Sequence, residues 1–379
     1  MKKTVLTILA LFVLSFKGYS QSTDDILNVL VQKNLIAQQE ADSIRAEAAI
    51  AAQANLSKVK AFPVNATKKI SLSGYTQVRY QALEQTGAID GFDIRRARVD
   101  LKGSISPYWG YRVQFDLAGT PKLIDGYVEL KLNDCFNFTV GQAKIPFSLE
   151  NLTSSTKLEL IDRSQVVEAL TARGKDVGDN QNGRDIGVQV GGTILKLKDR
   201  PVVDYRFGVY NGSGINSTDK DEDKDYAARL ILYPLTGLAV SGAWYDGSRF
   251  IPEVKSGTVV TTSAQSVNRD RFGVDLSYDL NNFSLRSEYI YGKDNRTERE
   301  GYYVLGGYYF FQKKFQVVAK YDFYDANKAN ADDASTWVVL GGNFNFNANT
   351  KLQVNYSIKQ EEETSIDNNF ANVQLQIGF

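Results

Sequence analysis

Basic side chains alternate with apolar ones in several segments of the chain, and these cations are the residues best suited to binding chemistry. Arg96, Arg98 and Lys102 share one such segment, and Arg112 lies in the next. Guanidinium and ammonium groups hold anions through charge-assisted hydrogen bonds, so cations on one face of a sheet can form an anion-binding wall. The hydrophilic faces of the predicted strands carry these candidates for a solute path: Arg79, Arg96, Arg98, Lys102, Arg112, Arg206, Arg229, Arg271 and Arg286.

Carboxylates share the same faces. Asp100 lies between Arg98 and Lys102, and Asp116 follows Arg112 by four residues. Side chains two residues apart on a strand, or opposite each other on paired strands, are close enough to form ion pairs, which cancel the long-range field. The wall is therefore either mildly anion-favouring or ordered by structural charge pairs.

A long polar stretch at about residues 146–183 is the candidate constriction loop of the predicted domain. Its basic residues are Lys157, Arg163, Arg173 and Lys175. Its acidic residues outnumber them: Glu150, Glu159, Asp162, Glu168, Asp176 and Asp179. A phosphate filter needs converging cations without acids between them, so this loop can select phosphate only if folding turns the acids away.

The composition gives little support for a catalytic site, a metal site or a cofactor-binding site. The chain has no histidine and a single cysteine, Cys135, which excludes a disulfide framework, the common zinc sites and Ser-His-Asp or Cys-His catalysis. No catalytic residue, metal ligand or cofactor is predicted, and a barrel-embedded hydrolase with a carboxylate-only site or a Ser-Lys pair is an alternative. The formal net charge of zero gives no basis for a nucleic-acid partner.

The elements that carry the candidate residues are strands. From Ile70 to Phe379 apolar and polar residues alternate with a period of two, as in Phe315, Val317, Ala319, Tyr321 and Phe323 against the residues between them. A soluble sandwich shares this pattern, but here short turns alternate with long polar loops, which is typical of outer-membrane barrels. The long loops are expected near residues 146–183, 212–224, 247–268, 293–301, 325–334 and 361–368. The predicted fold class is all-β: a transmembrane antiparallel barrel of about 16 strands over residues 70–379.

Two segments and a linker precede the barrel. Residues 1–20 combine Lys2 and Lys3 with an apolar run too short to span a membrane, which predicts a signal peptide. Residues 21–60 are rich in Ala, Gln and acids and place small or apolar residues at alternating steps of three and four, with Asn34 in the seam. This pattern predicts a short periplasmic coiled coil. A helix lying on the barrel or a spacer is the alternative, and residues 61–69 are expected to be a linker.

Three stretches resemble the family of phosphate-selective porins O and P. They are 92–103 (FDIRRARVDLKG), 140–150 (VGQAKIPFSLE) and 184–187 (RDIG). The resemblance implies a sixteen-stranded homotrimer in the outer membrane of a Gram-negative bacterium, with an inward-folded third loop. Phosphate-selective members of the family carry an arginine ladder and a lysine cluster, so an unbroken ladder is a third interpretation of the wall. The terminal Phe379 resembles the signal by which the outer-membrane assembly machinery recognises its substrates.

The expected function is passive diffusion of small hydrophilic solutes, with anions such as phosphate favoured over neutral ones. The expected partners are outer-membrane lipid, further copies of this chain, small anionic or neutral solutes and the assembly machinery. Two alternatives remain open: a non-selective general porin, and a structural or interaction barrel of the envelope.

Overall fold

The chain divides into two units, Met1–Lys60 and Ala61–Phe379. The computed structural model describes residues 32–33, 61–65, 68–173, 176–177, 182–256, 259–362 and 368–379. The predicted signal peptide and, except for residues 32 and 33, the predicted coiled coil lie outside the described residues. None of the described helices is long and apolar enough to cross a membrane.

The second unit consists almost entirely of antiparallel strands. In chain order they are β1 (Ala61–Asn65), β2 (Lys68–Leu83), β3 (Gly91–Ser104), β4 (Trp109–Asp116), β5 (Lys122–Lys131), β6 (Asn137–Lys144), β7 (Arg184–Leu197), β8 (Arg200–Tyr210), β9 (Asp225–Leu232), β10 (Leu238–Ile251), β11 (Val254–Ser256), β12 (Val259–Thr262), β13 (Gln265–Leu280), β14 (Phe283–Asp294), β15 (Thr297–Phe310), β16 (Phe315–Asp325), β17 (Ala334–Asn345), β18 (Thr350–Glu361) and β19 (Phe370–Gly378). Two short helices, α1 (Leu149–Leu152) and α2 (Gln165–Leu170), lie between β6 and β7.

Sixteen of these strands close into one barrel. Each pairs with the next from β2 to β10, β10 pairs with β13 across the small β11–β12 hairpin, and the ladder continues to β19. β19 then pairs with β2, with Gly378 opposite Tyr75. The predicted all-β barrel of about 16 strands is confirmed.

The segment expected to be a linker is partly strand. β19 covers β2 only from Tyr75 onward, which leaves the first residues of β2 without a neighbour on that edge. β1 pairs with this open edge, with Ala61 opposite Ser71. An unpaired strand edge favours the addition of a nearby extended segment. This explains why part of residues 61–69, which were expected to be a linker, forms a strand.

The burial of the two strand faces is the inverse of that in a soluble protein, because apolar side chains are exposed and polar side chains are buried. On β16, Val317 and Tyr321 are 48% and 43% exposed, whereas Gln316 and Asp322 are 2% and 0% exposed. The alternation predicted for β4 and β18 has the same sense, with Gln114 buried and Phe115 exposed. Apolar side chains that cover the whole outside require a lipid solvent, so the wet face is the lumen.

The connections follow the predicted alternation with one clear exception. Short turns lie at one end of the barrel, as expected for the periplasmic side, and longer connections at the other. The expected loop at 293–301 is instead a two-residue turn, because β14 and β15 stay paired up to Asp294 opposite Thr297. Asn295 takes the positive φ of 54° that this tight hairpin requires.

Candidate functional site

The chain between β6 and β7, residues 145–183, is called the inner loop below, and its described residues, 145–173, 176–177 and 182–183, lie against the inner face of the barrel. Its apolar side chains Val166, Val167 and Leu170 are fully or almost fully buried. They belong to one cluster with inward-facing residues of the wall, including Ile290 on β14 and Tyr303 on β15. The inner loop therefore packs along one side of the lumen and leaves the other side open.

Polar contacts hold the inner loop to the same part of the wall. The Asn343 amide donates to the Glu159 carbonyl at 2.7 Å. The Ile161 backbone N–H donates to Asn355 Oδ1 at 2.7 Å, and the Ser164 hydroxyl donates to Asp322 at 2.8 Å. Buried polar groups need hydrogen-bond partners. The amide and carboxylate side chains of β16, β17 and β18 supply these partners to the inner loop.

A β-bulge in β3 supplies a further anchor. Gln77 of β2 lies opposite Arg96 and Val78 opposite Ile94, so Arg95 is the extra residue. A bulge lets two consecutive side chains point to the same face. The Arg95 guanidinium accordingly reaches inward to the Ile161 carbonyl and, at 2.5 Å, to the Asp162 carboxylate. Strict alternation places Arg95 on the lipid face, so sequence reasoning missed it.

The acids of the inner loop are engaged by other groups. Glu150 accepts from the Ser164 backbone N–H at 2.7 Å, and Glu168 pairs with Arg173 at 3.1 Å. Glu159 accepts from the hydroxyl of Ser284 at 2.6 Å. Burial raises the pKa of Glu150 despite the nearby Lys320. These described acids of the inner loop are therefore engaged by other groups, and Asp179 lies outside the described residues.

A cavity of about 580 Å³ lies beside the inner loop and is called the cationic cavity. Its lining contains eight cationic side chains and one carboxylate, Asp100. The cations are Arg98, Lys102, Arg112, Lys144, Lys157, Arg163, Arg173 and Arg184. Six of them are among the predicted candidates.

Several of these cations are paired along the wall. Arg98 pairs with Asp116 at 2.9 Å, and Arg112 pairs with Asp100 at 2.8 Å and with Asp125 at 3.0 Å. Arg184 shares Asp125 with Arg112, at 2.5 Å. Lys102 lies 3.3 Å from Asp100 and is half exposed. The charge-pair interpretation of the wall is therefore supported for this row, and an unbroken ladder is not.

Three cations of the cavity, Lys144, Lys157 and Arg163, have no carboxylate partner within 4.0 Å among the described residues. Lys157 is exposed. Lys144 donates to the carbonyls of Asn151, Leu152 and Thr153 at 2.9, 2.9 and 3.2 Å. Arg163 donates to the carbonyls of Glu150 and Thr153, and its buried Nη1 has no hydrogen-bond partner among the described residues. Carboxylates beyond 4.0 Å offset part of the positive charge of Lys144 and Arg163.

The environment of Arg163 reflects this excess of charge. The side chain is only 3% exposed. Burial and the neighbouring guanidinium of Arg173 lower the pKa of Arg163 to about 9, which leaves the group charged at neutral pH. Nη1 has almost no accessible surface, so Arg163 favours an anion in the cavity through its charge and not through a direct hydrogen bond from this atom.

A second cavity, of about 530 Å³, adjoins the first and is called the polar cavity. It is lined by β4 to β8 and includes Arg206, which is exposed to it. Arg112, Lys144 and Leu152 line both cavities, so the two share a boundary. Together they form an open, water-accessible space beside the inner loop.

The remaining predicted residues lie elsewhere. Arg229 and Arg271, each 2% exposed at the side chain, are buried in pairs with Asp275 and Asp294, which differs from the solute-path expectation. These carboxylates neutralise them and the inner loop covers that side of the wall. Arg286 pairs with Asp279 and Arg79 with Asp93, both at 2.7 Å or less, and neither lines the two cavities.

Arg96 and Lys175 complete the set. Arg96 is buried and donates to Gln77 at 3.0 Å, and it lines neither cavity. Lys175 lies outside the described residues. Sequence reasoning missed Lys144 and Arg184 because both are at strand ends next to the inner loop, where alternation no longer indicates direction. Both nevertheless fall in the stretches that resemble the porin family.

Comparisons with solved structures agree with this architecture. An anion-selective porin from Comamonas acidovorans superposes with a TM-score of 0.63 at 14% identity, covering 82% of this chain and 100% of that one. OmpF of Salmonella typhi, in complex with daunomycin, gives 0.61 at 13% identity over 82% and 98%. The trimer form of Vibrio cholerae OmpT gives 0.58 at 14% identity over 83% and 100%. At these identities the similarity shows the fold.

Sequence comparison identifies the family. No curated protein matches the chain significantly. The family described as phosphate-selective porin O and P matches residues 64–379, which include all sixteen strands of the barrel. Together with the closed barrel, its apolar exterior and its basic lumen, this match shows that the chain belongs to the phosphate-selective porin O and P family and is an outer-membrane porin.

Proposed function

We propose that the barrel is a passive diffusion channel for small hydrophilic solutes and that it favours anions such as phosphate. The observation that carries this proposal is the cationic cavity, whose lining has eight cations and one carboxylate. A cleft lined by one sign of charge with low-dielectric walls concentrates ions of the opposite sign. The candidate solute-path residues are those that line the two cavities.

Lys144 and Lys157 are the groups best placed to contact an anion, because both line the cavity and neither has a described carboxylate within 4.0 Å. The buried Arg163 adds positive charge to the same side of the cavity. The paired residues Arg98, Arg112 and Arg184 supply further donors, because a guanidinium has five N–H groups and one ion pair leaves some unused. Phosphate can therefore pass from one set of donors to another.

The paired row also limits how tightly an anion is held. Conduction requires sites that attract an ion but release it to the next. Asp100, Asp116 and Asp125 compensate Arg98, Arg112 and Arg184 and so weaken the field that these three would otherwise produce. The proposed preference is accordingly moderate. The same pairing is the observation that favours a general porin as the second candidate.

The test is single-channel recording of the purified protein in planar bilayers under a KCl gradient, followed by titration of the chloride current with phosphate. We expect a reversal potential that favours chloride and a current that falls as phosphate is added. Equal passage of potassium and chloride without block would replace the proposal by a non-selective porin. A folded barrel that conducts nothing would favour a structural or interaction role in the envelope.

We also propose that three copies assemble in the outer membrane and that the helical segment 21–60 strengthens the trimer after removal of a signal peptide. The trimer form of a structurally similar outer-membrane protein supports this proposal. Deletion of residues 21–60 should leave a folded barrel with a weaker trimer on native electrophoresis. Trimers of unchanged stability would show that the barrel wall alone holds the assembly.

A further inference from the structure

The cationic cavity and the polar cavity share a boundary but offer different chemistry. The polar cavity has seven neutral polar side chains, among them Tyr127, Asn137, Thr139, Gln189 and Thr193. It also has three cationic and four acidic side chains, whereas the cationic cavity has eight cationic and one acidic. A solute that spans the boundary would meet an excess of cations at one end, and neutral polar groups among nearly balanced charges at the other.

The carboxylates of the polar cavity do not form a free cation site. Asp125 is held by Arg112 and Arg184, and Asp134 by Lys196 at 2.5 Å. The remaining two have weaker partners: Glu129 lies 3.6 Å from Lys131, and Asp204 accepts from the Tyr233 hydroxyl at 3.0 Å. With these partners and the cation Arg206, the cavity is polar without a strong negative field. It suits a hydroxylated neutral group better than a cationic one.

We propose that the preferred solutes are sugar phosphates or similar compounds, in which an anionic head is joined to a neutral hydroxylated body. The head lies in the cationic cavity with Lys144 and Lys157, and the body lies in the polar cavity. This inference rests on the proposed anion preference and extends it to a class of solute. Each cavity, at about 580 and 530 Å³, has the volume of an ordinary small-molecule site.

Residues at the boundary give the proposed pose its geometry. Arg112 faces both cavities and keeps its carboxylate partners, so it can donate to the oxygen that joins head and body. Hydroxyl groups of the body can donate to Glu129 and accept from Thr139 or Thr193. No side-chain hydrogen bond occupies these two threonine hydroxyls among the described residues, so they are available to a solute.

The experiment compares three probes as blockers of the chloride current: inorganic phosphate, glucose 6-phosphate and glucose. Glucose 6-phosphate should block about tenfold more strongly than inorganic phosphate, because its hydroxyl groups add two hydrogen bonds, and tenfold corresponds to about 1.4 kcal/mol. Glucose alone should have little effect. The double variant Thr139→Val/Thr193→Val should lose most of the advantage of glucose 6-phosphate and keep the block by phosphate.

Thr76→Val is the matched control. It makes the same threonine-to-valine change on the outward face of β2, where Thr76 lies opposite the lipid-exposed Ile377. Block by glucose 6-phosphate that is equal to or weaker than block by phosphate would overturn this inference and leave the anion preference standing. Block by neither anion, together with equal potassium and chloride passage, would overturn both proposals. An advantage that survives the double variant would also contradict the assignment of the polar cavity.

Discussion

The guanidinium of Arg95 lies 2.5 Å from the Asp162 carboxylate and so connects the inner loop to β3. Other polar contacts of the loop are made with β16, β17 and β18. Arg95 can do this because it is the extra residue of a β-bulge. Arg79 lies farther from the same carboxylate, at 3.8 Å. The pair therefore fastens the inner loop to β3, and we expect it to help set the width of the channel beside the loop.

We expect Arg95→Gln to release this edge of the loop. The change removes the ion pair and the donor to the Ile161 carbonyl, while α2 stays packed against the wall. Single-channel records should show a larger conductance with more open-channel noise. Arg79→Gln is the control, because Arg79 bonds mainly to Asp93 and should leave conductance almost unchanged. Identical records for Arg95→Gln and the wild type would contradict a role for this pair in pore width.

The same pair predicts how conductance responds to acid. Desolvation inside the barrel would raise the pKa of Asp162, but Arg95 and Arg79 outweigh it and lower the pKa below its usual value. A depressed carboxyl pKa stabilises the docked loop above the undocked value of about 3.9, and this stabilisation is lost only as pH falls through the lower, docked pKa. Conductance at constant salt should thus stay level from pH 7 to about 4.5 and rise only in stronger acid. A rise already at pH 6 would show that another group controls the loop.

Arg163→Gln should weaken phosphate block. The substitution removes a positive charge from the lining of the cationic cavity. One unit charge that acts on an anion at about 6 Å, with an effective dielectric constant of about 40, contributes about 1.4 kcal/mol, so the blocking concentration should rise roughly tenfold. Arg163 also holds the carbonyls of Glu150 and Thr153, so unblocked conductance must be measured to show that the loop has kept its place.

Two further variants complete this test. Arg163→Lys keeps the charge and should lie between the wild type and Arg163→Gln. Lys313→Gln removes an exposed cation on the turn after β15, outside both cavities, and should leave the block unchanged. If Arg163→Gln alters neither block nor conductance, Arg163 is not in the anion path.

Gly74→Val should weaken the closure of the barrel. Gly74 and Phe379 exchange two backbone hydrogen bonds, at 3.1 and 3.0 Å. A Cβ at Gly74 would lie 2.6 Å from the Arg98 carbonyl and 2.7 Å from the Phe379 ring. Overpacking of this kind costs about 1 to 3 kcal/mol, so the variant should unfold at a lower temperature in heat-modified electrophoresis.

Gly306→Val makes the same change on another membrane strand, where a Cβ would meet nothing within 4 Å. It should unfold at the wild-type temperature or above. Equal behaviour of the two variants would mean that the contact between Gly74 and the terminal residue does not limit stability. Phe379 is also the residue proposed to guide assembly, so yields of inserted protein should be compared alongside unfolding.

The sequence by itself determined the barrel and the sense of its faces. Alternation is a local property of an extended chain, because successive side chains point to opposite sides, so Gln316 and Val317 could be assigned to lumen and lipid without knowledge of their neighbours. The count of about sixteen strands followed from the same periodicity. The alternation also predicted Arg98, Lys102 and Arg112 of the cationic cavity, whereas Lys157, Arg163 and Arg173 were predicted from their place in the long polar stretch.

Only the tertiary structure decided which charges face the solute. Arg95 turns inward because a bulge breaks the alternation, and the bulge depends on how β2 and β3 pair. Glu159 and Asp162 are engaged by Ser284 and Arg95, which are distant in sequence, so their neutralisation cannot be read from the loop alone. Folding also brings Lys144 and Arg184 into the cationic cavity. The electrostatic field in the lumen is the sum of the fields of all these groups, so it cannot be predicted from composition or spacing alone.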